Sequence, residues 1–128
     1  MRTKGILTAA LIATLALPAG AAELEPRTRD EIAALIDSVR RSDCEFIRKN
    51  TAYSASDIGR LLDYRLAKLL DSQRIASAEQ FIELAATKGS KSGKPYMVQC
   101  GGRPAVRSAD WLKQRLATIR KQRNSRPS

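Results

Sequence analysis

Gly93 and Lys94, within Gly89-Ser90-Lys91-Ser92-Gly93-Lys94-Pro95-Tyr96, carry the first chemical suggestion in this chain of 128 residues. A glycine-lysine pair ends the phosphate-binding loop G-x-x-x-x-G-K-[ST], in which backbone N–H groups and the lysine cradle the phosphates of a nucleotide. Two positions break that pattern. Lys88 stands where the first glycine belongs, and Pro95 stands where the metal-binding hydroxyl belongs. The segment also leads into a strand-like run, Tyr96-Met97-Val98-Gln99-Cys100, whereas a phosphate loop opens a helix. Nucleotide hydrolysis is therefore set aside. A smaller chemical role remains. Ser90, Lys91, Ser92 and Lys94, with the N–H groups of a glycine-containing loop, suit an anion, and Tyr96 stands directly behind them. These five residues are the candidate binding residues. The plainer alternative is a solvated linker closed by a stiff Lys-Pro-Tyr turn.

Other chemistry is thinly supplied. The chain has no histidine, which removes the usual neutral-pH base and the commonest zinc ligand. A serine triad is excluded for the same reason. Glu79 and Glu83 share one helix face at i, i+4 and have the spacing of an acid/base or metal pair, but exposed carboxylates of this kind are ordinary helix surface. No catalytic constellation, metal set or cofactor motif emerges, and the chain is expected to be non-enzymatic. The two cysteines, Cys44 and Cys100, have only each other as partners. A catalytic cysteine lacks a base to activate it.

The first residues match an export signal. Arg2 and Lys4 form a charged start, Ile6 to Leu17 is apolar, and Pro18 leads into Ala19-Gly20-Ala21-Ala22, small residues of a cleavage site. The apolar run is too short for a span, which takes about 20 residues. Residues 1–22 are thus expected to be removed after Ala21 or Ala22, delivering the protein to the periplasm with no membrane span left. In that oxidising compartment a Cys44–Cys100 disulfide is expected. Of the net charge of +10, two units lie in Arg2 and Lys4 and six in Lys113, Arg115, Arg120, Lys121, Arg123 and Arg126, leaving +2 for the body between them. The basic character thus belongs to the end of the chain, which suits an anionic envelope surface, lipid or lipopolysaccharide. Trp111 falls on the apolar side of its helix, so base stacking is unsupported and nucleic acid is not an expected partner.

Four helices must position these groups. Thr28-Arg29-Asp30-Glu31 has the pattern of a capping box, followed by Ile32, Leu35, Ile36 and Val39 on one stripe. Ser54 opens a second helix with Ile58, Leu61, Leu62, Leu66, Leu69 and Leu70, the strongest apolar stripe and the expected main contributor to the core. Ser77-Ala78-Glu79-Gln80 opens a third, carrying Phe81, Ile82, Ala85 and Ala86, with Gly89 as its stop. Ser108 is expected to cap a fourth, with Trp111, Leu112, Leu116 and Ile119 inward. Two hairpins lie between the helices: Cys44 to Tyr53 turning at Lys49-Asn50, and Tyr96–Cys100 returning through Gly101-Gly102 as Arg103–Val106, with Pro104 at the sheet's rim. The expected architecture is α+β: four helices packed on a small, mostly antiparallel sheet of two hairpins, over residues 23–120. Residues 121–128 are expected to form a flexible basic tail.

Three segments carry a resemblance. They are Phe46-Ile47-Arg48 with Tyr53-Ser54, Ala78-Glu79-Gln80-Phe81-Ile82, and Ser92-Gly93-Lys94-Pro95-Tyr96 with Trp111-Leu112 downstream. Together they resemble a YfeK-like family of small exported proteobacterial proteins of unknown function, over about Arg29 to Arg120. One departure is Lys49-Asn50-Thr51, where the family pattern has an Asn-Gly turn. The resemblance implies a periplasmic location and supplies no catalytic residues. The functional expectation is a binding or accessory protein using the Ser90–Tyr96 loop and the hairpin from Arg48 to Tyr53, with a partner carrying an anionic group.

Overall fold

The structure is a computed structural model and describes residues 24–87 and 93–126. The expected leader, Gly89 and the candidate residues Ser90, Lys91 and Ser92 lie outside the described residues. The elements run α1 (Pro26–Arg40), β1 (Cys44–Arg48), β2 (Thr51–Tyr53), α2 (Ala55–Asp71), α3 (Ala78–Ala86), β3 (Met97–Cys100), β4 (Val106–Arg107) and α4 (Ser108–Ser125). The four strands form one antiparallel sheet in the order β2-β1-β3-β4. The α+β architecture expected from the sequence is therefore present, with the two hairpins joined through their first strands.

α1 begins earlier than its capping pattern indicates. Glu25 is the N-cap and Pro26 occupies the first turn, where a missing N–H costs nothing because that donor has no intrahelical partner. Thr28 therefore caps nothing, and Glu31 is turned inward and buried. The stripe Ile32, Leu35, Ile36 and Val39 is buried as its spacing requires. Where α1 meets α2, a Cβ on Gly59 would lie 2.6 Å from Arg40 Cγ. A larger residue at position 59 would require the exposed Arg40 side chain to shift from the path by which it reaches Asp63.

The first hairpin turns with Lys49 at φ 49° and Asn50 at φ 68°, the paired positive values of a type I′ turn. Lysine pays a steric penalty of about 1 kcal/mol in that region. Changing the pair to the favoured turn residues, Lys49→Asn with Asn50→Gly, should raise stability by about 1 kcal/mol in urea denaturation. An unchanged midpoint would mean that the turn carries no such penalty.

Ser54 caps α2 by accepting from Asp57 N at 3.1 Å, and Ser77 caps α3 by accepting from Gln80 N at 3.1 Å. α2 is not the main contributor to the core. Ile58, Leu62 and Leu69 are buried, but Leu70 is exposed. α1 and α3 are enclosed more fully because α1 packs against all three other helices. In α3, Ala78, Phe81, Ile82, Ala85 and Ala86 are all buried. That helix ends at Ala86 with Thr87 as its C-cap.

β4 is shorter than expected and starts later. Gly101 takes φ 61° and Arg103 N donates to Cys100 O at 3.3 Å, so a turn occupies this part of the chain. Pro104 has no N–H to offer a ladder, and pairing resumes only at Val106. α4 also differs from expectation at both ends. Arg107 is its N-cap, with no side-chain hydrogen bond, and Ser108 is the first helical residue. Its N–H donates to Tyr96 O at 2.9 Å, and its side chain is buried. The helix continues through 121–125, placed in the expected tail, and ends at Ser125. Among the described residues no helix is long and apolar enough to cross a membrane.

Candidate functional site

The sheet register determines which polar groups meet. Cys44 lies opposite Cys100 and Phe46 opposite Val98. These residues face the helices, and Phe46 meets Trp111 of α4 edge to face at 5.8 Å. The cysteines are joined as a disulfide. Continuing the same register brings Arg48 beside Tyr96, and Tyr53 lies across from Phe46. Arg48 and Tyr53 on the first hairpin, and Tyr96 before the second, thus gather at one end of the sheet.

Tyr96, one of the candidate binding residues, is buried. Its N–H donates to Thr87 O at 2.9 Å, tying the start of β3 to the end of α3. Arg65, from α2, donates through Nη2 to Tyr96 Oη at 2.7 Å and through Nη1 to Ala85 O at 2.6 Å. The Arg65 guanidinium lies 5.3 Å from the Tyr96 ring centroid. Arg48 lies 5.4 Å from the same ring and 5.5 Å from that of Tyr53. These are cation–π distances.

Neither Arg48 nor Arg65 has a carboxylate partner among the described residues. Both are half-buried. Arg48 Nε is enclosed without a hydrogen-bond partner there. Behind the cluster lies an apolar cavity of about 20 Å³, walled by Phe46, Ile58, Leu62 and Leu112 and reached by Arg48 and Ser108. Ser108 Oγ is a second enclosed polar atom without a partner. Lys94 is exposed, just after Gly93, whose φ of 67° suits glycine best.

Glu79 and Glu83 do not act as a pair. Both Glu79 oxygens accept from Arg120, at 2.8 and 3.0 Å. Arg120 also donates to both oxygens of Glu31, at 2.9 and 3.0 Å, and Arg123 adds a bond to Glu31 at 2.8 Å. One guanidinium therefore ties α1, α3 and α4 together. Hydrogen bonding from Arg120 holds the Glu31 carboxyl down to about 2, against the opposing effect of burial. The same arginine lowers Glu79, and the two carboxylates raise Arg120. This is structural pairing with matched charges, and no group of acidic residues or cysteines suited to a metal ion occurs among the described residues.

Sequence reasoning named Tyr96 and the hairpin but missed Arg65. A signal was available, since Arg65 follows Leu62 by three and precedes Leu69 by four, which sets a cation in the apolar stripe of α2. Glu31 gave the same signal on α1, four residues before Leu35.

The model of a family of unknown function (DUF5329) matches residues 26–120. No curated protein and no solved structure matches the chain.

Proposed function

The chain belongs to that family of unknown function, so its role has to come from the site, and we propose a non-enzymatic periplasmic binding or accessory protein. Its partner carries an anionic group and meets the end of the sheet where the first hairpin adjoins Lys94 and Tyr96. One observation carries this reading. Two half-buried guanidiniums, Arg48 and Arg65, converge on Tyr96 with no carboxylate partner among the described residues. A structural role alone would favour an acidic neighbour, as Arg40, Arg41, Arg60, Arg120 and Arg123 have. The leader pattern supports the periplasmic part, and the disulfide suits an oxidising compartment. The strings Phe46-Ile47-Arg48 and Ser92-Gly93-Lys94-Pro95-Tyr96 support kinship with the YfeK-like exported proteins of proteobacteria.

The competing surface is the basic face of α4. It is weaker than the sequence suggests, because Arg120 and Arg123 are neutralised by Glu31 and Glu79, leaving Lys113, Arg115, Lys121 and Arg126 exposed. Capture from an envelope extract separates the two. Reversing the rim charges with Lys49→Glu and Lys94→Glu should abolish capture of partners that the unaltered protein retains, with the melting temperature nearly unchanged. Lys113→Gln with Lys121→Gln should leave those partners bound. The opposite pattern would move the function to α4, and anionic vesicles would then be bound with a steep dependence on salt.

A further inference from the structure

We propose that Arg48 is the receptor for a compact oxyanion, a phosphate or a carboxylate, and that Arg65, Tyr53 and Tyr96 position it. This rests on the reading that the partner presents an anionic group at this face, and it assigns the group that receives it.

The two arginines are not equivalent. Arg65 has both terminal nitrogens engaged, one on Ala85 O and one on Tyr96 Oη. It is fixed from two elements and stabilises the orientation of Tyr96. The Arg48 side chain has no hydrogen bond or ion pair among the described residues, only the two tyrosine rings. A cation–π contact attracts the charge but offers its N–H groups no acceptor. The Arg48 Nε is enclosed without a hydrogen-bond partner among the described residues, which leaves that donor unsatisfied. The rings therefore hold the Arg48 guanidinium in place without satisfying its N–H groups. A planar fork of donors held in this way matches the two oxygens of a carboxylate or phosphate, which it can engage through parallel hydrogen bonds. Arg48 is partly exposed, so an oxyanion reaches it without opening the core.

The cavity behind Arg48 does not receive the ligand. At about 20 Å³ it has room for about one water-sized group. An acyl chain does not fit behind Arg48, so whatever carries the oxyanion remains outside. Lipid headgroups, phosphorylated sugars and acidic side chains share this chemistry.

The test uses the purified protein labelled with nitrogen-15 and follows the arginine Nε–Hε signals. Sodium phosphate, sodium acetate and sodium chloride are titrated separately at matched ionic strength. The Arg48 signal should shift saturably with phosphate or acetate and not with chloride. The tighter of the two names the oxyanion. Arg48→Lys keeps the charge and loses the fork, and should weaken binding by about tenfold or more. Tyr53→Leu removes one wall and should weaken it less. An equal response to chloride overturns the proposal, as does unchanged phosphate and acetate binding in a folded Arg48→Lys protein. If Arg48→Lys fails to fold, the signal shifts in the unaltered protein decide. Loss of capture on reversing Lys49 and Lys94, together with no selective shift at Arg48, would leave the anionic-partner reading standing and remove Arg48 as its receptor.

Discussion

Replacing both cysteines with alanine should lower the stability of the protein by about 4 kcal/mol, within the usual range of about 2 to 5 for loss of a native disulfide from a small domain. The bridge joins Cys44 and Cys100 across a sequence separation of 56 residues. Closing a loop of that length removes about 4 kcal/mol of entropy from the unfolded chain. The loop contains β2, α2 and α3, so losing the bridge releases the chain between the two central strands. Urea denaturation of the double variant measures the effect, and the same shift should follow reduction of the unaltered protein. Stability within 1 kcal/mol of the unaltered protein would mean that the unfolded chain is already compact around β1 and β3.

The second large effect belongs to Glu31→Ala, which should cost about 3 kcal/mol at pH 7, the lower end for breaking a buried pair. The Glu31 side chain is only 6% exposed, whereas Arg120 and Arg123 are 37% and 33% exposed. Water therefore compensates the abandoned arginines in part. The pH dependence has a definite sign. The Glu31 carboxyl is held at about 2 in the folded state, below the value of about 4.3 for a free glutamate. Its contribution is present above the unfolded value and is lost as pH falls through the folded value. The stability difference between the unaltered protein and Glu31→Ala should thus be constant near neutrality and shrink from about pH 5 to about pH 2. A difference that persists undiminished at the acid end would assign the effect to packing instead of charge.

Much of the fold was legible in the sequence because apolar spacing and cap residues act locally. Ser54 and Ser77 begin their helices by bonding a backbone N–H three residues on, and that pattern is visible in a few letters. The stripe from Ile32 to Val39 needed only its period. Long-range pairings are a different matter. Thr28-Arg29-Asp30-Glu31 has a capping pattern, but its glutamate is held by Arg120, 89 residues away. No local rule carries that information. The extension of α4 to Ser125 has a similar origin, since Arg123 is anchored on Glu31 and the helix continues past its last apolar residue. Ser108 falls where a cap was expected, but Arg107 is the N-cap, and the Ser108 hydroxyl is enclosed with no backbone N–H to accept from. Of the candidate site, Tyr96 and the hairpin were visible and Arg65 was not. An isolated cation in an apolar stripe gains meaning only once the tyrosine facing it is known.

The short outer strands of the sheet bear on pairing between sheet edges. A long bare strand at the margin of a sheet is a template to which another chain can add, the route to edge-to-edge aggregation. Here the two outer strands are Thr51–Tyr53 and Val106–Arg107, three and two residues long. One is entered from Lys49 through a tight turn, and the other follows Pro104 and carries Arg107. An incoming strand would find too few free backbone groups to form a ladder and would meet cations at both margins. Backbone pairing is therefore a poor means of attachment for this molecule, whether for its own copies or for an extended peptide.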